Sequence, residues 1–120
     1  MERVSFVKHK NKEILLVDIS DIRNVNESIE TLQNGTKLVK TQPPKSVLLL
    51  TNVSDTHYDP IGADAIKLYS KENTPFIKAS AVVGVTGIKR LIFNTIVKMT
   101  GRDIKQFDEV EAAKDWLIEQ

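Results

Sequence analysis

Two short stretches of this 120-residue chain hold residue types and spacings that could do chemistry. The first is Gly-Val-Thr-Gly-Ile-Lys-Arg, residues 84–90. A strand that enters a helix through glycines presents free backbone N–H groups and the positive end of the helix dipole, which together suit an anion. Lys89 and Arg90 fall in the first turn, where a cation meets that same end unfavourably by roughly a few tenths of a kcal/mol. An anion held by Thr86, Gly87, Lys89 and Arg90 would relieve this. The spacing is neither a Walker loop nor a dinucleotide fingerprint, and a strand, not a helix, precedes it, unlike the Gly-x-x-Gly of RNA-binding KH domains. The plainer reading, and the favoured one, is that Gly84 and Gly87 form a tight turn and allow close helix–sheet packing.

The second stretch is Asp-Thr-His-Tyr-Asp, residues 55–59. If extended, it would put Asp55, His57 and Asp59 on one side, two oxygens and a nitrogen that suit a divalent ion. Asp59 has a better use as a helix cap and Asp55 is a common loop residue, so a polar binding loop of Asp55, Thr56, His57 and Tyr58 is expected, with no metal or cofactor. Ser54 beside His57 and Asp55 superficially resembles a nucleophile triad. Loop neighbours rarely attain that geometry, and no glycine elbow frames the serine. No catalytic residue is assigned. His9, between two lysines, reads as a solvated strand end, and Trp116 as a core anchor.

The elements that must position these loops follow from periodicity. Residues 3–9 and 12–20 alternate as two strands joined by so short a link that they pair as a hairpin. Ile22, Val25, Ile29, Leu32, Thr36 and Val39 form a helical stripe, giving a helix over about 25–41 ended by Pro43 and Pro44. Residues 46–53 are an uninterrupted apolar run of the kind buried on both faces of a sheet. Asp59 and Pro60 then open a helix with Ile61, Ala65 and Leu68 expected on its inner face. Residues 76–84 are a second buried strand. A helix follows from 86 with Thr86 as its cap and Gly101 just past its end. Residues 104–107 make a short edge strand, and the last helix has Asp108 and Glu111 at capping-box spacing. One strand per helix after the hairpin predicts a single α/β domain over residues 1–120, its strands parallel through right-handed crossovers.

Composition narrows the function classes. Seventeen Lys and Arg against sixteen Asp and Glu give +1, so no overall field draws the chain to nucleic acid or membrane. Locally, residues 78–105 carry +5 and residues 106–120 carry −4. The basic stretch lacks the interleaved aromatics that base stacking uses, which argues against nucleic-acid binding. With no cysteine, disulfides, thiolate nucleophiles and cysteine-ligated metal sites are excluded. The first residues are too interrupted by charge for a signal peptide, no run approaches the ~20 apolar residues of a membrane span, and a cytoplasmic location is expected.

The strand–helix order resembles the STAS domain, the fold of bacterial anti-sigma-factor antagonists and of the cytoplasmic tail of sulfate transporters. It is also similar to small bacterial STAS-like proteins grouped with the lipid-binding CRAL-TRIO fold. Residues 46–59, 78–94 and 107–117 carry the likeness, which with the element order covers nearly the whole chain. In the antagonists, an Asp-Ser-Ser-Gly-like motif after the third strand carries a serine whose phosphorylation switches partner binding. Here that stretch falls on Asp59, Pro60, Ile61 and Gly62, so neither serine position has a hydroxyl. The resemblance therefore implies a non-catalytic regulatory or interaction module without the phosphoserine switch. The expected partner is another protein, a second copy of this chain included. The alternative is a small anionic or lipid ligand carried in the CRAL-TRIO manner.

Overall fold

The computed structural model describes residues 3–57, 59–87 and 89–120. Strands β1 (Val4–His9) and β2 (Lys12–Asp18) form the hairpin, and α1 (Val25–Val39), β3 (Val47–Asn52), α2 (Pro60–Asn73), β4 (Ile77–Val83), α3 (Lys89–Thr100), β5 (Ile104–Phe107) and α4 (Val110–Leu117) follow. The five strands lie in one mixed sheet in chain order, β1 antiparallel to β2 and all other neighbours parallel. This is the α/β architecture expected from the sequence, with β3 at the centre and β5 at an edge.

Strand residues alternate between two cores, because successive side chains of a strand point to opposite faces. Leu15, Val17, Leu49, Val82 and Ile104 meet Leu32 and Val39 of α1, Ile66 and Tyr69 of α2, and Phe93 and Ile96 of α3. Ile14, Leu48, Leu50, Ala81 and Val83 meet Ala113 and Leu117 of the two-turn α4, with Val110 and Trp116 of the same helix packed at the margin. Three helices thus cover one face and one short helix the other, as crossovers of a single hand in a sequentially ordered sheet require. Gly35 explains how α1 lies so close to the sheet: a Cβ there would sit 2.8 Å from Cγ2 of Val17.

Several local expectations are corrected. Helix α1 stops at Val39, where the Thr41 amide and hydroxyl both donate to the Leu38 carbonyl and tighten the exit. Helix α2 starts as expected, the Asp59 carboxylate accepting from the Gly62 amide at 2.8 Å. It buries a different face, however. Gly62, Ile66, Tyr69, Ser70 and Asn73 point inward, while Ile61 and Leu68 are 65% and 57% exposed. The two stripes differ by one residue, about 100° around the helix. The inward one brings the larger Tyr69 ring to a buried partner, the Thr51 hydroxyl at 2.9 Å. Glu109 rather than Asp108 precedes α4, and its side chain makes no capping bond. Trp116 is half-buried, its ring centroid 5.8 Å from that of Phe107.

Helix α4 is also fastened to the hairpin, which the sequence reading missed. His9 Nε2 lies 2.7 Å from Oδ1 of Asp115, and the Lys10 ammonium is 3.2 Å from the same oxygen. The Lys12 ammonium donates to the Ile118 carbonyl at 2.6 Å. His9 is therefore a clamp on the last helix, not a solvated strand end.

Candidate functional site

The loops after β2, β3 and β4 gather at the carboxyl ends of the parallel strands, where open α/β sheets bind their ligands. They are laced together chiefly through backbone. The Asp21 amide donates to the Ser54 carbonyl at 2.9 Å and the His57 amide to the Ile22 carbonyl at 3.0 Å, joining the first loop to the second. The Val53 amide donates to the Val83 carbonyl at 2.9 Å, joining the second to the third.

Gly84 sets the separation of the second and third loops. Its φ is +89°, and a Cβ there would come within 2.6 Å of Cα and 2.7 Å of the amide nitrogen of Ser54. Only a residue without a side chain allows this approach in this conformation. Gly87, at φ +58°, has open space around it and is needed for its left-handed backbone alone. The Thr86 and Gly87 carbonyls then accept the Lys89 and Arg90 amides at 3.2 and 3.1 Å, which start α3. For Thr86 this means a backbone contribution to the helix start; no side-chain bond of its hydroxyl is found among the described residues. Both glycines take left-handed backbone in the turn, and of the two Gly84 makes a close approach, to the Ser54 backbone of the neighbouring loop rather than between helix and sheet.

The polar side chains divide into those presented outward and those spent on the frame. Asp55, His57, Thr86, Gly87 and Arg90 are exposed. Thr56 is buried, its hydroxyl donating to the Ile19 carbonyl at 2.6 Å and pinning the first loop to the second. Lys89 is only 7% exposed, and its ammonium donates to the Val53 carbonyl at 2.6 Å, beneath the meeting point of the loops. Burial pulls the Lys89 pKa below the ordinary lysine value, and the nearby Asp55 carboxylate partly restores it. Its charge fastens α3 to the end of β3, and the surface charge expected here falls to Arg90. Tyr58 lies outside the described residues. Asp59 is committed to capping α2, and among the described residues no three metal-binding side chains converge.

No family model, curated protein or solved structure matches this chain. The site is accordingly read from its own geometry. Two residues that the sequence reading did not include belong to it. Ile61, in the first turn of α2, and Leu91, in the first turn of α3, are 65% and 68% exposed at the same end of the sheet as the three loops. The expected inward face of α2 hid the first of them. An exposed face on α3 was visible only as a position off the Phe93–Ile96 stripe.

A second concavity lies away from the loops, between α1 and α2. It is a groove of about 290 Å³ with Ile29, Leu32, Ala65 and Leu68 among its apolar lining. Lys37 and Lys40 stand at its rim, the latter 3.0 Å from the Glu72 carboxylate.

Proposed function

We propose that this chain is a non-catalytic regulatory or interaction module of the STAS type, which docks a protein partner on the loop end of its sheet and does so without a phosphoserine switch. The observation that supports this most is the pairing of exposed Ile61 and Leu91 with the polar Asp55, His57 and Arg90 on loops held rigid by backbone bonds. Large aliphatics within a polar surround are the usual make-up of a protein-binding patch, and a pre-formed frame lowers the ordering cost of docking. The polar groups that a reaction would have called upon, Thr56 and Lys89, are instead spent on main-chain carbonyls. The STAS assignment itself rests on the element order and on the stretches around β3, β4 and α4.

The test is to isolate the partner by cross-linking in the native host and measure its affinity for wild type and for Ile61→Asp and Leu91→Asp. Each substitution should weaken binding at least about tenfold, or 1.4 kcal/mol, with the melting temperature unchanged. Equal affinities for all three proteins would rule out this surface.

A second reading, a carrier of a small anionic amphiphile, is favoured by the α1–α2 groove and its basic rim. Its size lies at the lower edge of the ~300–1,000 Å³ typical of ligand sites. Native mass spectrometry of protein purified from its own host decides between the two: a stoichiometric small-molecule adduct lost in Leu68→Glu supports the carrier.

A further inference from the structure

On one side the sheet ends in β1, a six-residue strand with neither proline nor bulge and no strand beyond it among the described residues. The Asp18 amide donates to the Arg3 carbonyl at 2.8 Å, so Arg3 and Asp18 are a hydrogen-bonded pair of the antiparallel ladder. Such pairs alternate along a strand. Ser5, Val7 and His9 therefore bond to β2, and the N–H and C=O groups of Val4, Phe6 and Lys8 point out of the open edge. Among the described residues, no backbone group of a loop or helix bonds to them. An open edge of this kind is a template for another strand.

Register, charge and room all select a second copy of this chain as that strand. The side chains of Val4, Phe6 and Lys8 share the three-helix face, with Phe6 40% exposed on it. A two-fold axis through Phe6 pairs Val4 with Lys8, Phe6 with Phe6 and Lys8 with Val4, using every outward-bonding residue of both strands. It sets the two Phe6 rings side by side as cross-strand aromatic neighbours and keeps the two Lys8 four residues out of step. Beside Val4 lies an open cleft of about 560 Å³ between β1 and α1, lined in part by Glu27 and Glu30. The second copy's Lys8 falls opposite Val4 on the same face, at this cleft. Within one chain, Lys8, Glu27 and Glu30 make no ion pair among the described residues. Of the cations that also line the cleft, Arg3 donates to the Ser20 carbonyl at 2.7 Å, and Lys37 stands about two to three turns further along α1. Helix α1 lies over β2, as the close approach of Gly35 to Val17 shows. In the pair, β2 and its copy are about 14 Å apart, three strand spacings, wider than the about 8–10 Å of packed helices, so the two α1 helices do not collide.

We propose that β1 is a self-association edge: two copies of this chain join β1 to β1, antiparallel and centred on Phe6, with Lys8 of each reaching Glu27 and Glu30 of the other. The two five-stranded sheets become one. This edge is separate from the loop-end surface and from the α1–α2 groove, and stands or falls independently of both.

Because the chain has no cysteine, single cysteines report the register. In the pair, the two Phe6 Cα atoms lie about 5.5 Å apart, within disulfide reach, and the two Lys8 Cα atoms about 14 Å apart, beyond it. Under mild oxidation Phe6→Cys should pass into a covalent dimer and Lys8→Cys should remain a single chain on a denaturing gel. Sedimentation of wild type across a concentration series should approach twice the mass of one chain. Phe6→Lys should sediment as a monomer with the circular dichroism of wild type, and if it fails to fold, the cysteine pair decides. Lys8→Glu should weaken association, and adding Glu27→Lys and Glu30→Lys should recover it. A wild type monomeric at every concentration, which would leave the edge to a strand of another protein, would overturn the proposal. So would a folded Phe6→Lys that stays dimeric, a charge reversal without recovery, or equal cross-linking at positions 6 and 8.

Discussion

Replacing Gly84 by alanine tests the claim that the second and third loops are held at a separation that only glycine permits. The added methyl would lie within 2.6 Å of the Ser54 Cα and 2.7 Å of its amide nitrogen, and neither backbone atom can swing away as a side-chain end could. The loops must separate or Gly84 must abandon φ +89°. Holding an L-residue in the left-handed region costs about 1–2 kcal/mol, and forcing a methyl into a packed site costs about 1–3 kcal/mol more. The sum of about 2–5 kcal/mol is a large part of the stability of a small domain, and corresponds to a fall in Tm on the order of 10–20 °C. Gly87→Ala is the internal control. Its φ of +58° carries the same backbone penalty, but no atom lies within 4 Å of the new methyl, so it should lose only about 1–2 kcal/mol. Urea unfolding followed by the fluorescence of the single tryptophan and by far-ultraviolet circular dichroism gives both values. Equal losses in the two variants would refute the reasoning.

Asp59→Ala should cost about 1 kcal/mol through loss of the α2 cap, read from the same unfolding curves, and an unchanged midpoint would mean that the Gly62 amide finds another acceptor. Asp115 is held below the ordinary carboxylate range first by the hydrogen bond from His9 and then by Lys10. Its contribution is therefore present above that range and lost as pH falls through its lowered pKa. The Trp116 emission of wild type should shift in that interval, whereas Asp115→Asn should be shifted already at neutral pH; identical titrations would remove the clamp from the account. Among the described residues, Lys89→Met leaves the Val53 carbonyl the long 3.4 Å bond from the Thr56 amide, a loss of about 1 kcal/mol at pH 7. Because burial lowers the Lys89 pKa, the unfolded chain binds more protons between that value and the ordinary lysine range, so wild-type stability gains with rising pH there. The methionine variant should lack that gain, and the same slope in both would contradict an inward ammonium.

The element order, the Asp59 cap and the Gly101 stop were legible in the sequence because each depends on residues within a few positions of one another. The phase of α2 was not, since Ile61–Ala65–Leu68 and Gly62–Ile66–Tyr69 are both helical stripes and the choice depends on Thr51, eighteen residues earlier. Lys89 looked like surface charge because nothing local reveals that the Val53 carbonyl, thirty-six residues away, needs a donor. The His9–Asp115 contact spans 106 residues and leaves no periodic trace. Burial of the Arg102 Nε and Nη1 groups is likewise invisible in a stretch that reads as a basic turn.

The two faces of the sheet have different histories during synthesis. The three-helix face can close as each βα unit appears, since α1, α2 and α3 each follow the strand they cover. The opposite face stays bare until α4, made after all five strands, folds back to the first hairpin. Until then Ile14, Leu48, Leu50, Ala81 and Val83 present a wet apolar strip on a nearly finished sheet. Such surfaces are where nascent chains meet chaperones or one another, and closing a 106-residue loop is a slow step of high contact order. A released chain truncated just before Ala113 would therefore display this strip, and the full chain would hide it.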